Sequence, residues 1–256
     1  MTLDPRTETT NARTPHAAPG GRAPLGARLT AWAVHAFTMT GLAWAMLAAI
    51  ALVEGEIAWM WLWFAVSLVV DGVDGTLARR FRVKEVVPWF DGAVLDNVVD
   101  FLTWTFLPAL FLYLHVPFGS RPLALAAAVI AVVSSVFCYA NEGEKSTDAY
   151  FVGFPAAWNV VAAAFYVLGT PAAVNLGVTV LLAILTLVPL HYTHPMRVKR
   201  YRAANIAASL AWIGATGYLV AVHPERPIGA LALFWISAGW FVLTGLLRTA
   251  RGRDDD

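Results

Sequence analysis

A chain of 256 residues that is 59% hydrophobic and 14% charged, with a mean hydropathy of +0.62, carries more apolar side chain than one soluble core of that length buries. Its formal net charge of +1 removes any bulk-charge argument for a nucleic-acid partner, so information lies in where the charges fall. Cys138 is the single cysteine, which excludes disulfides within the chain and cysteine-based metal sites.

Residues 1–28 hold Pro5, Pro15, Pro19, Pro24, Gly20, Gly21 and Gly26 among scattered arginines. They lack the apolar core of a signal peptide and predict a disordered cytoplasmic segment. From Leu29 onward, apolar runs long enough to cross a hydrocarbon layer of about 30 Å alternate with short polar breaks. The predicted spans are 29–53, 57–78, 92–114, 122–140, 151–169, 172–190, 203–222 and 227–247. The expected fold class is therefore an all-α integral membrane protein with about eight transmembrane helices. The split between spans five and six rests on Gly169, Thr170 and Pro171, a turn signature. A cytoplasmic tail, 248–256, ends the chain.

With both termini placed in the cytoplasm, sixteen of the eighteen Lys and Arg residues fall inside and only Arg121 and Arg226 outside. Missing or inventing one span would move every later loop to the other side, so this division supports the count.

The chemistry-bearing residues gather where spans two and three reach the cytoplasmic boundary. Span two is apolar from Ile57 to Val70 except for Ser67, and then reads Asp71, Gly72, Val73, Asp74, Gly75, Thr76, Leu77, Ala78, Arg79. Asp71, Asp74, Gly75 and Ala78 share one helix face by their spacing of three, four and seven. Span three opens with Gly92, Asp96 and Asp100 on one face and is nearly all apolar beyond. Both acidic pairs sit at similar depth, so they can meet. A mid-membrane aspartate costs on the order of 2.5–3.5 kcal/mol, and four like charges repel further. Something must neutralise them, and crowded hard oxygen ligands are what Mg²⁺ or Mn²⁺ require. Two such ions would match four carboxylates and could grip a diphosphate during an in-line displacement at phosphorus. Gly75 and Gly92 would let a nucleotide or a neighbouring backbone come close.

These residues resemble the CDP-alcohol phosphotransferase pattern, D-x2-D-G-x2-A-R-x8-G-x3-D-x3-D, at every named position. Asp71, Asp74, Gly75, Ala78 and Arg79 carry the first half and Gly92, Asp96 and Asp100 the second. The spacer between Arg79 and Gly92 holds twelve residues instead of about eight. The resemblance implies a six-helix core over 29–190, two additional helices over 191–247 and a homodimer. The site would open to the cytoplasmic leaflet of a bacterial inner membrane. It implies that Asp71, Asp74, Asp96 and Asp100 hold two Mg²⁺ or Mn²⁺ ions and that Asp100 is also the general base. Asp71, Gly75, Ala78, Arg79 and Gly92 would contact the CDP portion. The long spacer, the eight spans and the stretches GFPAAWNVVAAAFYVL and HPMRVKR are similar to the choline-using bacterial branch. That branch joins CDP-diacylglycerol to choline with release of CMP. Serine, inositol and glycerol 3-phosphate are the alternative acceptors, the last served by a basic loop from Arg197 to Arg202. A divalent metal-ion transporter is the alternative of another class, and it fits poorly because no polar residues step through the outer half of spans two and three.

Around the acceptor, Tyr139, Tyr150, Trp158, Asn159 and the acidic Glu142 are the expected contacts, because aromatic faces and carboxylates suit a quaternary ammonium. For the aromatics, an interfacial belt of Trp and Tyr is the plainer explanation. His191 and His194 have the spacing of two metal ligands but no acidic or cysteine partner beside them.

Overall fold

The computed structural model describes residues 23–141 and 146–252; the expected N-terminal segment up to residue 22, Glu142 and the end of the tail lie outside the described residues. Among the described residues are nine helices and one short ribbon. In chain order they are α1 (Leu25–Glu54), α2 (Ile57–Arg80), α3 (Val83–Val86), α4 (Gly92–His115), α5 (Arg121–Ala140), β1 (Phe151–Val152), α6 (Trp158–Leu168), α7 (Ala172–Leu185), β2 (His191–Tyr192), α8 (Arg202–Ala221) and α9 (Ile228–Arg251).

Six of these, α1, α2, α4, α5, α8 and α9, are long and apolar enough to cross a membrane. Their outward faces are studded with large apolar side chains, Val69, Val133, Trp235 and Ile236 among them. The inward faces carry small residues instead. In α1 the buried series Ala31, Val34, Thr38, Gly41, Ala45, Ala48 and Leu52 follows helical spacing. Small residues let helices approach closely where lipid gives no hydrophobic drive for association. Gly41 shows why: a Cβ there would lie 2.5 Å from Val99 Cγ1 on α4.

The fifth and sixth spans are shorter than expected. α6 has 11 residues and α7 has 14, about 16 and 21 Å of helix at roughly 1.5 Å per residue. The stretch predicted as the start of span five is not helical. Gly153 (φ +86°) and Ala156 (φ +55°) take left-handed conformations, Pro155 stands between them, and Phe151 and Val152 pair antiparallel with Tyr192 and His191. A side chain on Gly153 would strike the Thr186 carbonyl, so only glycine fits. Apolar composition made these residues read as membrane helix, whereas their backbone requirements make them a ribbon. The turn between α6 and α7 falls where it was expected, with Gly169 left-handed and Pro171 ahead of α7.

Nor is α4 uniform. Residues Phe101–Phe106 form a π-helical stretch, in which Leu107 N–H reaches back to Leu102 O. Pro108 follows, with no N–H to donate, and the ladder widens just before it. The change of phase lets Asp96 and Asp100 face α2 while Leu107, Phe111 and Leu112 face the core around Met60, Phe64 and Trp158.

The last two helices pack into the same bundle. Ala215 and Leu219 of α8 and Phe234 of α9 enclose Val167 of α6. Buried Asn205 ties α8 to α9 by accepting from Trp240 Nε1 at 2.8 Å.

Candidate active site

The C-terminal part of α2 and the start of α4 lie side by side at one end of the bundle. Asp71, Asp96 and Asp100, all half-buried, each offer a carboxylate oxygen to a group whose members lie within 4.8 Å of one another. The helix-face argument from sequence allowed this meeting of α2 and α4. Asp74 stands apart from the trio. It is 6% exposed, with the Thr38 side chain of α1 and the Gly75 N–H as hydrogen-bond partners. Thr38 is a site-shaping residue that sequence reasoning missed, because a threonine inside an apolar span carries no pattern of its own.

Gly75 leaves a space filled from two directions. A Cβ built there would lie 3.3 Å from Arg79 Nη1 and 4.0 Å from Arg197 Nη2. Arg79 donates to Thr76 Oγ1 at 3.3 Å. Arg197 comes from the segment between β2 and α8, more than one hundred residues away in sequence, and the motif gave it no role. The expected opening at Gly92 is filled by protein: a Cβ there would lie 2.9 Å from His35 Cε1 of α1. His35 is enclosed by Trp32 and Phe90, at ring distances of 5.6 and 4.6 Å. Ala78 packs on the apolar cluster of Ala31, Val34, Val83 and Val87, the last two contributed by the long spacer. The extra spacer residues thus form α3 and its flanks, folded onto α1.

The described residues expected around the acceptor differ in their surroundings. Trp158 is fully enclosed, edge-on to Phe154 at 5.4 Å. Tyr150 is buried, and the Arg248 guanidinium lies 5.7 Å from its ring centre. Asn159 Oδ1 accepts from its own helix at Val160 N–H. Tyr139 is half-buried, with its ring edge-on to Phe101, the residue after Asp100, at 5.7 Å.

Arg248 belongs to a second charged group at this end. Its Nε donates to Asp148 Oδ2 at 2.5 Å, and the two side chains are only 8% and 21% exposed. Ser146 Oγ donates to Asp148 Oδ1 at 2.5 Å. Burial pushes the Asp148 carboxyl up, but the hydrogen bonds from Arg248 and Ser146 outweigh it and hold the group below its ordinary value. Burial, reinforced by Arg248, lowers His191. The His191 backbone N–H donates to Thr249 Oγ1 at 2.8 Å, and the His194 ring stacks on Phe151 at 5.1 Å.

With this geometry established, comparison with known proteins is decisive. Residues 33–191, well over half the chain, match the family described as CDP-alcohol phosphatidyltransferase. The chain belongs to that family. A protein of Pseudomonas aeruginosa named phosphatidylcholine synthase is 47% identical over 222 residues, covering 86% of this chain and 92% of that protein. An Agrobacterium fabrum protein of the same name is 37% identical over 219 residues, covering 86% and 90%. One from Borreliella burgdorferi is 30% identical over 205 residues, covering 80% and 86%. The family segment contains all four motif aspartates and ends at His191, so it stops before Arg197, α8 and α9. The enzyme class read from the motif is thereby established, and the chain is a multi-pass membrane protein of it.

Proposed function

We propose that this chain transfers the phosphatidyl group of CDP-diacylglycerol to the hydroxyl of choline, forming phosphatidylcholine and releasing CMP. The observation that carries the reading is the meeting of Asp71, Asp96 and Asp100 at one end of a membrane bundle, in a chain whose relatives bear that activity as their name.

Three convergent carboxylates suit a hard divalent cation, Mg²⁺ or Mn²⁺, and Asp74 is the further ligand if two ions bind. When bound, the cation supplies the positive charge that neutralises the carboxylates and draws in a diphosphate. The protein's own groups do the rest. Gly75, Ala78 and Arg79 on α2 flank the CDP portion. Asp100 accepts the proton of the choline hydroxyl as the new O–P bond forms and the bond from phosphorus to the CMP oxygen breaks. Tyr139, beside Phe101 and Asp100, is the aromatic we place against the choline ammonium.

Basic residues point to orientation. Of the described lysines and arginines, Arg121 and Arg226 open or precede helices at the far end, and the others lie at the acidic end. By the positive-inside tendency the acidic end faces the cytoplasm of a bacterial plasma membrane, with both termini there. The protein acts as a homodimer, with residues 29–190 as the catalytic core and 191–247 as its addition.

Purified protein given labelled CDP-diacylglycerol and a panel of alcohols tests the reading. Label should pass to choline. Efficient conversion of serine, inositol or glycerol 3-phosphate with choline left untouched would sink the choline assignment and spare the reaction class.

A further inference from the structure

Arg197 lies six residues beyond the family-matched segment, in irregular chain between β2 and α8. Its Nη2 and Arg79 Nη1 both come within 4.0 Å of the Cβ position that Gly75 leaves vacant. Two guanidinium groups drawn to one point repel unless an anion lies between them. Among the described residues neither makes a salt bridge, though both lie close enough to Asp74 to act on its charge. Arg79 donates to Thr76, and Arg197 makes no hydrogen bond or salt bridge among the described residues. Asp74, the carboxylate on which both act electrostatically, takes its hydrogen bonds from Thr38 and Gly75 instead. The two guanidinium groups meet over Gly75 of α2, four residues from Asp71, beside the acids that would carry the cation and where a donor's phosphates must come to rest.

We propose that Arg197 is a donor-binding residue which, with Arg79, clamps the diphosphate of the CDP-lipid above Gly75; this rests on the phosphatidyl-transfer reading. A guanidinium presents a planar fork of N–H donors that matches phosphate oxygens in pairs, and it stays charged at any working pH. A glycine at position 75 leaves the phosphate room between the two forks. The placement of Arg197 on a segment outside the helices lets it meet a donor that enters sideways from the lipid layer. A cationic acceptor gains nothing from such a neighbour. A phosphorylated acceptor would, and it is the other source of the same chemistry.

The experiment compares the full-length parent protein with Arg197→Gln and Arg197→Lys in detergent micelles. Two readouts are taken: the KM of each substrate, and the shift in melting temperature that CDP-diacylglycerol causes. The expected result for Arg197→Gln is a donor KM raised at least tenfold, a choline KM within twofold of the parent, and loss of most of the donor-induced thermal shift. Arg197→Lys should recover part of each, which a purely structural arginine would not show, and it keeps the test open if the glutamine variant fails to fold. An unchanged donor KM with an unchanged thermal shift overturns the proposal. So does a raised KM for glycerol 3-phosphate alone, which would assign Arg197 to an acceptor phosphate. If the parent is stabilised by CDP-diacylglycerol but passes label to no alcohol, while Arg197→Gln loses that stabilisation, the clamp stands and the phosphatidyl-transfer reading falls.

Discussion

Two carboxylate groups occupy the same end of this bundle and are built differently. Asp148 is answered within the protein: Arg248 and Ser146 hold it, and Arg248 in turn covers the face of Tyr150. Asp71, Asp96 and Asp100 are brought within 4.8 Å of one another on two helices, with like charge facing like. Three like charges gathered at one place on α2 and α4 fit a site shaped for a cation that arrives from outside, at a cost in stability. The first group joins the loop before β1 to α9, and so fastens the ribbon over which the last helix passes. Gly245 of α9 lies so close to the His191 carbonyl that a side chain there would collide with it.

The sharpest way to break the contrast is to remove one carboxylate from each group. Asp100→Asn should lower turnover by about 10²–10⁴, the range for a lost general base, while donor binding survives. A variant that binds CDP-diacylglycerol normally and turns over at the parent rate would end the case for Asp100 as base. EDTA should abolish turnover and Mg²⁺ or Mn²⁺ restore it; full activity with metal verified absent would remove the cation from the scheme. In metal-free buffer Asp71→Asn or Asp96→Asn should leave the melting temperature unchanged or raised, because a repulsion has been relieved.

Arg248→Met should do the reverse. It strands Asp148 without its partner at a site only about a fifth exposed. The expected loss is about 2 kcal/mol of stability, below the roughly 3–5 kcal/mol seen when fully enclosed pairs are broken. Turnover per folded molecule should stay near that of the parent. If Arg248→Met melted like the parent, the ion pair would not be the fastening described. Acid should weaken the same region. Asp148 and His191 both have folded values held below their ordinary ones of 3.8 and 6.5. Each therefore contributes stability above its ordinary value and loses it as pH falls through the folded one. The melting temperature should decline first below about pH 6.5, from His191, and again below about pH 3.8, from Asp148. Arg248→Met should flatten the second decline, since the shift in Asp148 would then be largely gone.

Much of this was readable from the chain. Helix periodicity alone put Asp71 with Asp74 and Asp96 with Asp100 on faces able to meet, and the named motif residues matched the family pattern across a longer spacer. Local pattern could not separate Asp74 from the trio, because its partner Thr38 lies on another helix and looks like an ordinary span residue. Arg197 was visible only as one of several arginines in a basic stretch; its closeness to Gly75 depends on the path of the chain between β2 and α8. Residues 151–157 misled for a different reason. They are as apolar as the helices around them, and hydropathy does not register that Gly153 and Ala156 need positive φ. Gly92, expected to make room for nucleotide, makes room for His35.

The smallest expected change in activity concerns the aromatics, and it separates packing from recognition. Trp158 and Tyr139 were both expected near the acceptor, yet one is fully enclosed and the other half-buried beside Phe101. Trp158→Leu removes ring contacts from the core formed with Phe154, Phe111 and Leu112. It should cost about 2–4 kcal/mol of stability, toward the lower part of the range for large-to-small core changes, and leave the choline KM of the folded fraction near that of the parent. Tyr139→Leu keeps much of the apolar bulk and loses the π face. One cation–π contact at a partly exposed position contributes about 0.5–1 kcal/mol, so the choline KM should rise about two- to fivefold with the CDP-diacylglycerol KM unchanged. If Tyr139→Leu left the choline KM untouched and Trp158→Leu raised it, the ammonium would have to reach the buried tryptophan. The enclosed packing of α6 would then have to open during turnover.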